Sequence, residues 1–367
     1  MRRKPPRLLT PRGNIRLGGQ RWPASAIGAT EFNRTQSRRA PWLKEVADVW
    51  QRWQKGDEPG MRVTTSGTTG APRRVEHSRK AVLSSVNDTL SHFELGEGTQ
   101  AVLALPASFV AGQAMLIRAL VGGWNLTLTP PSSEPTWQGP FDFVALTPHQ
   151  AQGWIDRGEG SAGILLLGGG PVALPLLRAL LANPRVGEIW EGYGSSETLT
   201  HVALRHLRQE ADLNAPFLPL PSVSMKLNEV GCMVVHAPSR EVHAHVTQDC
   251  FGAHPDGGWV WLGRNDDVIN TGGVLVHPST IEQAFGAICE PWVTDWVAYG
   301  RPDDTLGQAL VLRVQGTLPQ SVHAADVTSS WRSQLKDLVG TAKAPRHVEW
   351  GKIPRNKHGK ALRRDLS

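Results

Sequence analysis

Between residues 100 and 195 short, mainly apolar runs alternate with helix-length stretches, and this rhythm restricts the fold more than any other feature of the chain. AVLAL (101–105), LTLT (126–129), FDFVAL (141–146), GILLLGGG (163–170) and EIWEGYG (188–194) have strand length. A strand with one wet face alternates polar and apolar residues. As a set these runs lack that alternation, so both faces of their sheet must be covered, as helices cover a parallel sheet. Helices are expected at 79–92, 112–121 and 172–181. Thr147 followed by Pro148 supplies a capping hydroxyl and a first-turn proline for another. Upstream, only 41–54 carries a helical pattern. From Asp212 helices thin out, and SVSMKL, CMVVHA and WVWLG read as short strands. Beyond Arg264 the pattern turns to α+β. A helix at 278–285 has Ser279 and Glu282 at capping-box spacing, strands lie near 296–299 and 309–314, and a helix spans 325–338. The expected fold is α/β. A large N-terminal domain of layered βαβ units with a small β-rich subdomain takes residues 1–265, and a smaller α+β C-terminal domain takes 266–367.

The length, 367 residues, fits two or three domains at roughly 150 residues each. Three scattered cysteines without a Cys-x-x-Cys pair exclude a disulfide framework and suit a reducing cytosol, so a cytoplasmic location is expected. The basic N-terminus lacks an apolar run of signal-peptide length, and no stretch approaches the ~18 apolar residues of a membrane span. The net charge of +6 gathers at the two ends. It suits nucleic acid or small anionic substrates alike. The basic tracts are not interleaved with aromatics, as a single-strand-binding surface would be.

Five segments carry possible chemistry. TTSGTTGAPRR (64–74) sets the hydroxyls of Thr65, Ser66, Thr68 and Thr69 around Gly67 and Gly70 and ends in Arg73 and Arg74. Glycines let backbone N–H groups approach an anion, and guanidinium forks match phosphate oxygens. The loop reads as a polyphosphate cradle or as an ordinary polar surface loop, and it is not a Walker A motif. GYGSSETLTH (192–201) follows a strand, where ligands of open α/β sheets lie, or is simply a polar loop. WLGRNDDVINTGG (261–273) holds an arginine, two aspartates and a glycine pair at the expected domain junction; an Asn/Asp-rich hairpin turn is the plainer reading. Asp249 in VTQDC is a candidate ribose acceptor or a surface carboxylate. Lys360 stands in a basic C-terminal run that, alone, reads as solvated charge.

In this order, the segments resemble the adenylate-forming superfamily of acyl- and aryl-CoA synthetases, luciferases and peptide-synthetase adenylation domains. TTSGTTGAPRR is similar to its phosphate loop and GYGSSET to its adenine and magnesium motif. Asp249 and WLGRNDDVINTGG are similar to its ribose and hinge motifs, and the Gly359–Lys360 pair to its catalytic-lysine motif. More narrowly, FVAGQAMLIRAL, FDFVALTPHQ, LLGGGPV and SSETLTHVALR resemble the o-succinylbenzoate–CoA ligases of menaquinone synthesis.

The resemblance implies a mobile C-terminal domain and two half-reactions. A small-molecule carboxylic acid attacks the α-phosphate of ATP, and CoA then displaces AMP from the acyl-adenylate. Thr65 to Gly70 and Arg73 would hold the β- and γ-phosphates, with Gly192, Tyr193 and Gly194 at the adenine. Thr198 would bond the α-phosphate, Glu197 would hold Mg²⁺, and Asp249 with Arg264 would fix the ribose. Lys360 would bridge α-phosphate and carboxylate, Asp266 would be the pivot, and Gly272 and Gly273 would admit CoA. His201, Arg118 and Gly169 are the candidate acid-pocket residues, although Arg118 on a helix also reads as a surface or ion-pair residue. No nucleic-acid partner is expected, and a homo-oligomer stays open. Two departures stand out. Arg73 occupies the place of the superfamily's usual lysine, and PASFVAGQ lacks its usual histidine, with Phe109 nearby. An aryl- or acyl-CoA ligase of other specificity, a non-catalytic relative and a basic nucleic-acid-binding protein are the alternatives.

Overall fold

A computed structural model describes residues 13–17, 20–23, 40–56, 59–64, 73–355 and 361–366. The chain forms two compact units. The first gathers the described residues up to 172 with 176–226 and 234–245, and the second gathers 173–175, 227–233 and those from 246 onward.

In chain order the large unit begins with β1 (Asn14–Leu17), β2 (Gln20–Pro23), α1 (Trp42–Lys55), β3 (Met61–Thr64) and β4 (Arg74–His77). There follow α2 (Arg79–His92), β5 (Gln100–Leu103), α3 (Val110–Gly122), β6 (Asn125–Leu128), β7 (Pro140–Leu146) and α4 (Pro148–Arg157). Then come β8 (Ser161–Leu167), α5 (Leu174–Leu181), β9 (Val186–Ser195), β10 (Thr200–His206) and β11 (Leu218–Pro219). One nine-stranded sheet runs β11-β10-β9-β8-β7-β5-β6-β1-β2. From β9 to β1 all neighbours are parallel, and the antiparallel pairs sit at the two edges. This is the sheet that the apolar runs require. Val102, Phe143, Val144 and Leu165 are wholly buried.

Helix starts follow local chemistry. Ser78 caps α2 by accepting from Ala81 N at 3.1 Å, and Thr147 with Gln150 closes a full capping box on α4. Every residue of α3 from Gly112 to Leu120 is buried, so this helix is covered on all sides. Two expectations are corrected. The N-terminal strands β1 and β2, and β10, carry no strand signal in the sequence reading yet extend the sheet. The capping box at Ser279 does not form: the Ser279 hydroxyl instead donates to the Leu262 carbonyl, and Glu282 accepts from Ala298 N at 2.9 Å.

Next in the chain, β12 (Ser224–Leu227), β13 (Cys232–Ala237), β14 (Val242–Ala253) and β15 (Trp259–Arg264) form a four-stranded sheet in sequence order. The smaller unit also holds β16 (Ile269–Thr271), β17 (Val274–Val276), α6 (Pro278–Ile288), β18 (Val293–Asp303), β19 (Gly307–Gly316), α7 (Ala324–Val339) and β20 (His347–Trp350). Its five-stranded sheet packs against α6 and α7 around Phe285, Leu310, Leu312, Trp331 and Leu335. The Trp331 ring lies 5.0 Å from Phe285, 5.6 Å from Trp292 and 5.7 Å from Trp350. This is the α+β character expected of the C-terminal part.

Candidate active site

Of the expected site residues, Thr65, Ser66, Gly67, Thr68, Thr69, Gly70 and Lys360 lie outside the described residues. The others fall into two groups, one in each unit.

In the large unit the organising element is the β9–β10 hairpin. Its register pairs Ser195 with Thr200, Gly194 with His201 and Tyr193 with Ala203, leaving Val202 as a bulge. The segment read as a polar loop is therefore the tight tip of a hairpin at the carboxyl end of a central strand. Gly194 is fixed by its own neighbour: a Cβ there would meet the Thr200 carbonyl oxygen at 1.9 Å. Gly169 sits just past the carboxyl end of the adjacent β8, also exposed. Glu191 ties these two strand ends together by accepting from Val172 N at 3.2 Å while pairing with buried Arg205 at 2.6 Å. Tyr193, next to Gly192, has its ring 6.1 Å from Phe217.

At the hairpin tip Glu197 is exposed and Thr198 is buried. The Thr198 hydroxyl accepts from Ser195 N at 2.9 Å, and the Ser195 and Thr200 carbonyls lie at 3.3 and 3.4 Å. Bonding a phosphate oxygen means exchanging one of those carbonyls. One exposed carboxylate is a hard-oxygen ligand of the kind Mg²⁺ takes beside substrate phosphates.

Thr64 and Arg74, which flank residues 65–73, are paired across β3 and β4, with Arg73 exposed. At the far end of β4, buried His77 places Nε2 2.7 Å from the Ser196 carbonyl, so that nitrogen carries the proton and donates. Burial keeps its pKa below the ordinary 6.5, against the pull of that bond and of Glu197. The sequence reading missed His77, although it lies only four residues after Arg73.

Arg118 and His201 are brought together in the interior rather than at the surface. The Arg118 guanidinium is 3% exposed. Among the described residues it makes one long hydrogen bond, to Thr200 Oγ1 at 3.4 Å, its Nε is unpartnered, and no carboxylate pairs with it. Burial, then the nearby charge of Arg240, pushes its pKa down to about 9. Arg118 is thus not a surface residue, and among the described residues it forms no ion pair. His201 Nε2 lies 3.3 Å from Thr89 Oγ1, and burial followed by the charges of Arg118 and Arg240 holds it neutral well below 6.5.

In the smaller unit Asp249 and Arg264 are direct cross-strand partners on β14 and β15. Trp261 Nε1 donates to Asp249 at 3.3 Å, and Arg264 forks onto Asp266 at 2.8 and 2.7 Å. The candidate ribose pair and the candidate pivot are thus one connected cluster. That hydrogen-bonded carboxylate raises the Arg264 pKa further. Gly272 and Gly273 form the two-residue turn between β16 and β17, both at positive φ (62° and 85°), as such hairpins require. Gly273 N donates to Asn270 Oδ1 at 2.9 Å.

A doubly covered parallel sheet with an acidic hairpin tip at the carboxyl end of one of its strands is the setting of an adenylate-forming enzyme. Residues 21–246 match the AMP-binding enzyme family, and the chain belongs to it. Within that family it is similar to a probable 2-succinylbenzoate–CoA ligase of Mycobacterium tuberculosis, 26% identical and aligned over 85% of each chain. It is also similar to the 2-succinylbenzoate–CoA ligase of Geobacillus kaustophilus, 25% identical over 88% of this chain and 70% of that one. Among solved structures, an acyl-CoA synthetase (AMP-forming)/AMP-acid ligase II-like protein from Dyadobacter fermentans is 29% identical. It covers 90% of this chain and 95% of its own, at a TM-score of 0.54. The o-succinylbenzoate CoA synthetase of Bacillus subtilis, solved with its acyl-adenylate, shares the fold at a TM-score of 0.70 and 21% identity, over 85% and 69%. Among the described residues no helix is long and apolar enough to cross a membrane.

Proposed function

We propose that the chain is an ATP- and Mg²⁺-dependent acid–CoA ligase that converts o-succinylbenzoate to its CoA thioester through an acyl-adenylate, in the cytoplasm. The reaction brings one anion against another, so positioning and electrostatic stabilisation carry most of it. The Thr65–Gly70 loop and Arg73 hold the β- and γ-phosphates, and Tyr193 with its flanking glycines receives the adenine. Thr198 donates to the α-phosphate, where charge develops. Glu197 would hold Mg²⁺, which would neutralise phosphate charge. Asp249 and Arg264 fix the ribose hydroxyls. Lys360 bridges α-phosphate and carboxylate in the first half-reaction. Rotation of 266–367 about Asp266 then withdraws Lys360 and brings the Gly272–Gly273 turn to the pantetheine path.

The observation that supports this acid is Arg118. A buried guanidinium that meets no carboxylate among the described residues calls for an anion, and o-succinylbenzoate keeps one carboxylate unreacted. Neutral His201 and the turn at Gly169 complete that pocket. The experiment is pyrophosphate release with ATP, CoA and a panel of o-succinylbenzoate, benzoate and medium-chain acids. The proposal predicts o-succinylbenzoate as the best substrate by kcat/KM, and preference for a monocarboxylate would overturn the acid assignment.

A further inference from the structure

Directly after Thr198 the backbone enters a conformation that side-chain-bearing residues avoid. Leu199 and Thr200 take φ of 58° and 67° in succession. L-residues seldom adopt this left-handed region, β-branched ones least readily, and such outliers persist only where the surroundings hold them. The holder here is a buried charge. Arg240, 1% exposed on the short helical turn Pro238–Arg240, donates from Nη1 to the Leu199 carbonyl at 3.3 Å and the His201 carbonyl at 2.8 Å. Those carbonyls flank Thr200. Ser85 on α2 donates to the same Leu199 carbonyl at 3.1 Å and lies 2.9 Å from Thr200 Oγ1. The other side of the guanidinium meets Asp88, one helical turn on, with Nε at 3.1 Å and Nη2 at 2.6 Å from Oδ2. Asp88 is itself fixed by the Ser222 hydroxyl at 2.6 Å.

A buried ion pair is a weak source of stability, and the better-attested use of such pairs is to specify one arrangement over others. Here the arrangement specified is the turn between Thr198, at the α-phosphate, and Thr200, which Arg118 bonds. We propose that Asp88 and Arg240 are positioning residues for adenylation, holding the Leu199–Thr200 turn left-handed and so fixing both threonine hydroxyls. The assignment rests on the adenylate-forming reading of the hairpin, and its consequence for the backbone can be tested without it.

The test uses the full chain with Asp88→Asn, which weakens the grip on Arg240, and Arg240→Lys, whose single ammonium cannot reach Asp88 and two carbonyls at once. Hydrogen exchange of the peptide covering 199–205 is read by mass spectrometry beside pyrophosphate release and CoA transfer from supplied acyl-adenylate. Exchange is expected to quicken at least tenfold in that peptide. Adenylation kcat should fall at least tenfold with the KM for ATP changed less than threefold and CoA transfer unchanged. A merely structural role would lower both half-reactions alike, through the folded fraction. Unchanged exchange, or unchanged adenylation kcat in a folded variant, overturns the proposal. If Arg240→Lys does not fold, Asp88→Asn decides by the same criteria. If the wild type releases no pyrophosphate with any acid, the functional reading falls while the exchange result still decides the clamp.

Discussion

Replacing Arg118 by Met should make the ligand-free protein more stable and the enzyme worse, and the two effects follow from one structural fact. The guanidinium is buried and meets no carboxylate among the described residues, and the charge of Arg240 repels it. The fall in its pKa from the ordinary guanidinium value to about 9, at about 1.36 kcal/mol per pH unit, amounts to about 5 kcal/mol. Arg118 is still charged at neutral pH, so this cost is fully present below pH 9. It is relieved only above pH 9, in the direction in which the folded protein releases a proton that the unfolded chain keeps. Met fills similar volume without charge, and exchanging buried ions for apolar residues commonly gains about 1–4 kcal/mol. The urea midpoint of the free protein should therefore rise. On the proposed function the same guanidinium meets a carboxylate once substrate binds, and losing one partner of a buried hydrogen-bonded charge pair costs about 2–5 kcal/mol. That is a loss of about 30-fold or more in kcat/KM for o-succinylbenzoate. Benzoate, with no second carboxylate, should lose less than threefold. A variant that is less stable when free, or that loses both acids equally, would refute the reasoning and return Arg118 to a packing role.

Three further outcomes are expected. Lys360→Ala should abolish acyl-adenylate formation, by about 2.7–4 kcal/mol or more, while CoA transfer from supplied adenylate survives; equal loss of both would sink the alternation of the C-terminal domain. His201 is neutral in the folded protein well below 6.5, so the unfolded chain gains a proton first as pH falls. Stability from this group is thus lost below pH 6.5, and the drop in urea midpoint from pH 7.5 to 5.5 should be smaller in His201→Asn than in the wild type. Arg73→Lys keeps the charge but not the fork, so kcat/KM for ATP should change within about tenfold, whereas Arg73→Ala should lose about 10²-fold or more. A neutral alanine variant would remove Arg73 from the phosphate site.

Much of the fold is written locally. The helix expected at 79–92 is the helix seen, because Ser78 caps it and its apolar face is regular. Thr147 and Pro148 start α4 for the reason their types suggest. The apolar runs 141–146 and 163–170 lie in the middle of a parallel sheet, where both faces are covered. Signals that depend on distant partners are not legible in this way. β1 and β2 have four residues each and gain their strand character from pairing with β6 and with each other. Ser279 and Glu282 have capping-box spacing, yet tertiary partners at Leu262 and Ala298 claim both side chains. The site divides similarly. Glu197, Thr198, Asp249 and Arg264 stand in recognisable strings, whereas Asp88, Arg240 and His77 are single polar residues whose partners lie 152, 39 and 119 positions away. Only the folded chain reveals them.

The proposed reaction joins o-succinylbenzoate to AMP and then to CoA. Incubating the wild-type protein with o-succinylbenzoate, ATP and Mg²⁺, then chasing with CoA, lets mass spectrometry follow both products. One o-succinylbenzoyl-adenylate per active site is expected before CoA is added, and its conversion to AMP and o-succinylbenzoyl-CoA afterwards. No adenylate from this acid, with adenylate formed from a monocarboxylate under the same conditions, would contradict it.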